Sequence, residues 1–93
     1  MRAKDVQGAV IEVLQEIQSD SGFKERPIGG STCPVKDLEG FDSPIWLDAT
    51  GMISTKLGIN IPLNHNIFVS HGKPLTIDES VAKICELIQG EKT

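Results

Sequence analysis

Residues 40–62, GFDSPIWLDATGMISTKLGINIP, decide the fold of this chain, and Ser43 lies near the start of the pattern. Pro44 follows the serine, and after it comes an apolar pattern of helical length that closes with Leu57 and Gly58. Serine is a preferred N-cap residue, proline is favoured at the first helical position, and glycine commonly ends a helix. The stretch therefore predicts a helix with Ser43 as its N-cap, and the hydroxyl of Ser43 then lies at the positive helix end.

This predicted helix has an apolar inner side and a mixed outer side at helical spacing. The inner stripe and its flanks comprise Trp46, Ala49, Ile53 and Leu57 with Ile45 and Met52. The outer side comprises Pro44, Leu47, Asp48, Gly51 and Thr55. Leu47 is thus an apolar residue that faces outward just after Ser43. It is either a contact for a partner protein or an ordinary half-exposed leucine that the preceding loop covers.

Two further helices are predicted, one at each end of the chain. Apolar residues recur at helical spacing over about residues 4–17, and the segment SDSG at 19–22 ends this first helix. Near the other end, Thr76 and Glu79 are spaced as a capping box. The inner face of the last helix comprises Val81, Ile84, Cys85 and Ile88. Gly90 is expected to end that helix.

A long connection joins the first helix to the second. Its apolar residues are spaced as anchors that would drape it over the core; they are Phe23, Ile28, Val35, Leu38 and Phe41. Ser31 or Thr32 is expected to cap a single helical turn around residues 35–38. After the second helix, residues 59–75 contain alternating apolar positions, but Pro62 and Pro74 confine any strand there to a sheet edge.

Size and composition limit the classes of function that the chain can have. The 93 residues predict a single domain, 1–93, with an aliphatic core that has room for a flexible apolar guest. A net charge of -4 disfavours nucleic acid and favours partners that carry basic patches. The chain has no apolar run of membrane-spanning length and begins with an amphipathic helix instead of a signal peptide. We therefore expect a cytoplasmic monomer that does not insert into membranes.

The cysteines and histidines give weak signals. Cys85 falls on the predicted inner face and is interpreted as a small core residue, whereas Cys33 lies in a loop without a second cysteine at metal-ligand spacing. His65 and His71 have no acidic or cysteine ligand at regular spacing, so surface histidines are favoured over a metal site. Ser43 lacks a nucleophile-elbow sequence and a base. The chain is accordingly predicted to hold no metal and to be no enzyme.

Asp42 and Ser43 at a helix start, with Ile61 and Pro62 eighteen and nineteen residues after Ser43, resemble the phosphopantetheine attachment segment of acyl carrier proteins. The resemblance implies an all-α fold, a small four-helix acyl-carrier-like bundle with a long first loop. It also implies a short third helix near residues 64–68. The alternative is an α+β fold with a short hairpin in 59–75.

The resemblance further implies a function. Ser43 would carry a 4'-phosphopantetheine arm that a phosphopantetheinyl transferase delivers from coenzyme A, and Asp42 would support the transfer. The arm would hold acyl intermediates as thioesters for fatty-acid or specialised lipid and secondary-metabolite biosynthesis. Leu47, Asp48 and Gly51 would dock acyl-loading and acyl-processing enzymes that carry basic patches.

The chain also departs from the family pattern. Pro44 replaces a common leucine, Gly51 replaces a larger apolar residue, and the acidic run of the second helix is reduced to Asp48. These departures predict a specialised carrier with its own partners. They also keep open an unmodified, carrier-like helical module that binds a protein partner through Leu47, Asp48 and the long loop.

Overall fold

The computed structural model describes residues 2–20, 22, 27–38, 40–62 and 66–91. The elements in chain order are helix α1 (Ala3–Asp20), helix α2 (Pro34–Asp37), helix α3 (Ser43–Leu57), strand β1 (Val69–Ser70), strand β2 (Lys73–Pro74) and helix α4 (Ile77–Glu91). The mostly helical architecture is confirmed. The hairpin that the alternative prediction placed in 59–75 is also present, so both descriptions of the fold class fit the structure.

The core forms where α1 packs against both α3 and α4. Each helix contributes the apolar residues of one face, and the buried members include Val6, Val10, Leu14, Ala49, Ile53, Ile77 and Ile84. Phe68, at the start of the hairpin, is fully buried and meets Phe41 edge to face with 5.0 Å between ring centroids. The apolar periodicity of the three long helices therefore predicted the core faces correctly.

Helix α3 and its N-cap each begin one residue earlier in the chain than predicted. Asp42, not Ser43, occupies the N-cap, and its side chain accepts a hydrogen bond from the backbone N–H of Ile45. Ser43 is the first helical residue and Pro44 the second. The prediction of Ser43 as N-cap was wrong because Asp42 is an equally good cap and proline is tolerated throughout the first turn, where N–H groups lack helical partners.

The other end of α3 is as predicted. Gly58 adopts a left-handed conformation with φ 67° and its N–H donates to the carbonyl of Thr55, while the N–H of Ile59 donates to the carbonyl of Ser54. This pair of hydrogen bonds is a Schellman motif, which favours glycine because a left-handed backbone strains residues with a Cβ. The predicted helix end at Leu57 and Gly58 is confirmed.

The connection between α1 and α3 is anchored to α4. The carbonyl of Thr32 accepts a hydrogen bond from the N–H of Ile77 at 2.8 Å, and the carbonyl of Gly30 accepts one from Asp78 at 2.9 Å. Among the predicted anchors, Leu38 and Phe41 are buried and Ile28 and Val35 are partly buried, whereas Phe23 lies outside the described residues. Two first-turn N–H groups of α4 are therefore satisfied by the loop.

The predicted helical turn in this connection exists as α2, but its cap differs. Cys33 occupies the N-cap without a side-chain hydrogen bond. The hydroxyl of Thr32 instead accepts from the N–H of Gly29 at 3.0 Å, and Ser31 is exposed. The predicted cap by Ser31 or Thr32 was wrong because Thr32 stabilises the turn before α2 instead.

Residues 66–68 are not helical, so the predicted short helix near residues 64–68 is corrected in its described part; Asn64 and His65 lie outside the described residues. The side-chain oxygen of Asn66 accepts hydrogen bonds from the N–H groups of Phe68 and Val69, and this turn leads into β1. His71 and Gly72 connect the strands with φ 52° and φ 77°, as in the two-residue hairpin turn with positive φ at both positions.

Helix α4 begins with the predicted capping box. The hydroxyl of Thr76 accepts from the N–H of Glu79 at 3.2 Å, and the Glu79 carboxylate accepts from the N–H of Thr76 at 2.9 Å. The helix runs through Glu91 and so continues past Gly90, which was expected to end it. Glycine costs about 1 kcal/mol inside a helix and does not by itself stop one.

Candidate functional site

Ser43 lies at the exposed start of α3. Its hydroxyl makes no hydrogen bond within the described part of the chain. The N–H of Ile45 donates to the Asp42 carboxylate at 3.4 Å, and the N–H of Trp46 donates to the Asp42 carbonyl at 2.9 Å. Because Asp42 does the capping, the hydroxyl of Ser43 is exposed and unengaged at a positive helix end.

The three residues predicted to dock partners lie on the exposed side of α3. Ser43, Leu47 and Gly51 are spaced four residues apart, so they follow one line along the helix, and Asp48 lies beside them. Leu47 is 50% exposed, and Asp48 is exposed. The long loop therefore does not cover Leu47, and the structure brings the predicted docking residues together next to Ser43.

A groove between α1 and α3 opens beside this line, with a volume of about 1000 Å³. We call it the α1–α3 groove. Its walls are Val13, Glu16, Ile17, Asp20, Ile45, Leu47, Asp48, Gly51, Met52, Thr55 and Lys56. The α3 wall contains all three predicted docking residues. The α1 wall was not predicted as part of a site, because Glu16 was interpreted as a polar position of an amphipathic helix and Asp20 as part of the segment that ends this helix.

The groove is rimmed by acidic residues. Glu16 and Asp20 on α1 and Asp48 on α3 are exposed carboxylates. Among the described residues that line the groove, Lys56 is the single cation, and its Nζ lies 2.9 Å from the carboxylate of Glu12. The hydrogen bond that the Lys56 ammonium donates to Glu12, together with the negative charges of Glu12 and Glu16, raises the pKa of Lys56 above its ordinary value. Because Lys56 is paired with a carboxylate outside the lining, the described residues of the rim present net negative charge to solvent.

The remaining candidate residues form no second site. Cys33 and Cys85 are free and partly buried, and His71 lies exposed in the hairpin turn, whereas His65 is outside the described residues. Within residues 2–20, 22, 27–38, 40–62 and 66–91, no group of three or more His, Cys, Asp or Glu side chains is placed to hold a metal ion. None of the helices in those ranges is both long and apolar enough to cross a membrane.

These features define a small, mostly helical protein with one short hairpin, in which an exposed serine at the start of a helix adjoins an acidic groove. Comparisons with protein-family models, curated proteins and solved structures found no match. The function is therefore inferred from the residues and their geometry.

Proposed function

We propose that the chain is an acyl carrier protein that bears a 4'-phosphopantetheine arm on Ser43. The observation that supports this most is the state of the Ser43 hydroxyl, which is exposed and makes no hydrogen bond to the described residues because Asp42 caps the helix. A transferase needs a hydroxyl that it can reach and orient. If Ser43 were the cap itself, its modification would cost α3 a stabilising hydrogen bond.

In the transfer, the Ser43 oxygen forms a P–O bond to the phosphate of the arm as the pyrophosphate bond of coenzyme A breaks. Adenosine 3',5'-bisphosphate leaves, the hydroxyl proton passes to a base of the transferase, and a phosphodiester then links the arm to Ser43. The positive end of α3 favours the added negative charge. The carboxylate of Asp42 is close to the same position, and it already accepts the N–H of Ile45. Asp42 therefore fits a role in holding the first turn and in contacting a metal ion or basic residue of the transferase, rather than the phosphate.

The arm's thiol would hold acyl intermediates as thioesters for fatty-acid or specialised lipid biosynthesis. Leu47, Asp48 and Gly51 lie along α3 next to the arm and fit docking of acyl-loading and acyl-processing enzymes with basic patches. In this proposal the carrier is a cytoplasmic monomer in an acyl-carrier-like bundle and has no catalytic residue of its own.

A second candidate is an unmodified module that binds a protein partner. The α1–α3 groove favours it, because Ser43 is not among the residues that line the groove. The two candidates differ in one observable, since only a carrier gains mass at Ser43.

The test is the intact mass after incubation with coenzyme A, magnesium and a broad-specificity transferase. Ser31→Ala is the matched control for Ser43→Ala, because both serines are exposed and neither makes a side-chain hydrogen bond within the described residues. The native chain and Ser31→Ala should each gain one arm, and Ser43→Ala should gain none. If the native chain gains nothing, even with a transferase from its own source, the carrier proposal fails and the interaction module becomes the better candidate.

A further inference from the structure

The α1–α3 groove has the shape of a site for a helix from another protein. Its α3 wall extends from Ile45 to Lys56, which is about 16 Å or three helical turns. Val13, Ile17 and Met52 give it an apolar floor, and carboxylates form its rim. We propose that this groove binds a cationic amphipathic helix of a partner protein, with apolar side chains on the floor and Lys or Arg against the rim. This proposal rests on the docking role proposed above for Leu47, Asp48 and Gly51 and names the kind of partner; peptide binding at the groove and mass gain at Ser43 are separate measurements, so either can fail alone.

Gly51 supports close approach of that partner. A Cβ added to Gly51 would meet nothing within 4 Å, so internal packing does not require glycine there. Glycine inside a helix is nevertheless unfavourable relative to alanine. Its place between Leu47 and Thr55 leaves a gap in the outer line of α3, and a side chain from a partner fits that gap.

The charges select the kind of partner. Glu16, Asp20 and Asp48 carry negative charge at the rim, while Lys56 is paired with Glu12. A second copy of this chain that used the same groove would place carboxylates against carboxylates, which is repulsive. A neutral alkyl chain would leave the rim unpaired and would stay half exposed in an open groove. A cationic amphipathic helix would place apolar side chains on the floor and Lys or Arg beside the carboxylates of the rim.

The probe is a fluorescent peptide of about 18 residues with leucine on one helical face and lysine or arginine on the other, long enough to form a helix on the protein. Binding is followed by anisotropy at an ionic strength of about 0.15 M, where distant surface charges are largely screened. Amide shifts of Leu47, Gly51 and Met52 report where the peptide binds. A second peptide with serine in place of leucine keeps the charge and removes the apolar face.

Two pairs of variants test whether the peptide binds in the groove or elsewhere on the surface. Gly51→Leu fills the groove, and Gly8→Leu makes the same change at an exposed helical glycine of α1 whose Cβ would also meet nothing within 4 Å. Asp48→Lys reverses a rim charge, and Glu86→Lys makes a matched reversal on the exposed surface of α4. Thermal unfolding followed by circular dichroism verifies that each variant is folded.

Saturable binding with shifts at the three groove amides is expected. Gly51→Leu and Asp48→Lys should each weaken it at least about tenfold, Gly8→Leu and Glu86→Lys less than about threefold, and the serine peptide should bind at least about tenfold more weakly. The proposal is overturned if each variant and its control behave alike, if the serine peptide binds equally well, or if nothing binds up to about 1 mM peptide. Self-association that Gly51→Leu abolishes, or displacement of the peptide by a neutral alkyl thioester, would also overturn it in favour of those occupants.

Discussion

Alanine at Gly30 would press a methyl group against Asp78 at the start of α4. A Cβ built on Gly30 would clash with Oδ1 of that side chain and would lie 2.6 Å from its Oδ2 and 2.7 Å from its Cγ. The carboxylate cannot simply swing away without loss, because its Oδ1 accepts a hydrogen bond from the Gln7 side chain at 3.0 Å. The carbonyl of Gly30 also accepts the N–H of Asp78 at 2.9 Å, so the two segments are held at short range.

The expected loss follows from these contacts. Relief of the clash costs either the Gln7 hydrogen bond or the two backbone hydrogen bonds between the loop and α4, at about 1 kcal/mol for each bond. Alanine also restricts the unfolded chain, which raises the free energy of unfolding by about 0.4–1 kcal/mol and offsets part of this loss. Gly30→Ala should therefore lower the free energy of unfolding by up to about 1.6 kcal/mol, or the Tm by up to roughly 13 °C for a domain of this size.

Gly29→Ala is the matched control, because its Cβ would meet nothing within 4 Å and its φ is not positive. That variant should be as stable as the native chain or slightly more stable. Urea unfolding followed by fluorescence of Trp46, the single tryptophan, measures all three proteins. In an Asp78→Ala background the clashing atoms are gone, so Gly30→Ala should lose most of its effect. Equal stability of the Gly29 and Gly30 variants, or an undiminished Gly30 effect without Asp78, would refute the reasoning.

Three further predictions concern single side chains, and urea unfolding measures each. Asp42→Ala should cost about 0.5–1 kcal/mol because it removes the α3 cap, whereas Ser43→Ala should change stability by less than about 0.5 kcal/mol; the reverse order would restore Ser43 as the cap. Ser80 has a fully buried hydroxyl with no hydrogen-bond partner among the described residues. Ser80→Ala should leave stability unchanged or raise it by up to about 1 kcal/mol, and a measurable loss of stability would instead show that the hydroxyl has a partner. His71→Val should cost about 1–2 kcal/mol because φ is 52° there, whereas His71→Asn should cost nothing; equal effects would contradict the turn geometry.

The helices could be predicted from the sequence because their signals are local. The apolar spacing of α1, α3 and α4, the glycine after Leu57 and the capping box at Thr76 each depend on residues within a few positions. The cap of α3 was misplaced by one residue for a local reason as well. Asp42 and Ser43 are both strong caps, and only the direction of the Asp42 side chain toward the N–H of Ile45 distinguishes them.

The hairpin was given second place because the acyl-carrier resemblance favoured a short helix in the same stretch. Local chemistry pointed the other way. His71 and Gly72 can both adopt positive φ, and Asn66 can accept two backbone N–H groups and so starts a turn rather than a helix. Pro74 is accommodated because β2 lies at an edge of a sheet with two strands. In this stretch the residues were a better guide than the resemblance.

The α1 wall of the groove could not be predicted, because it depends on which faces of two distant helices meet. The sequence placed Leu47, Asp48 and Gly51 on one side of α3, but nothing within α3 indicates that Asp20 lies across from its start and Glu12 across from Lys56. That antiparallel arrangement puts the acidic α1 residues beside the line that leads from Thr55 back to Ser43. A partner helix in the groove would therefore end close to the Ser43 hydroxyl, so the same surface can both select a partner and present the serine to it.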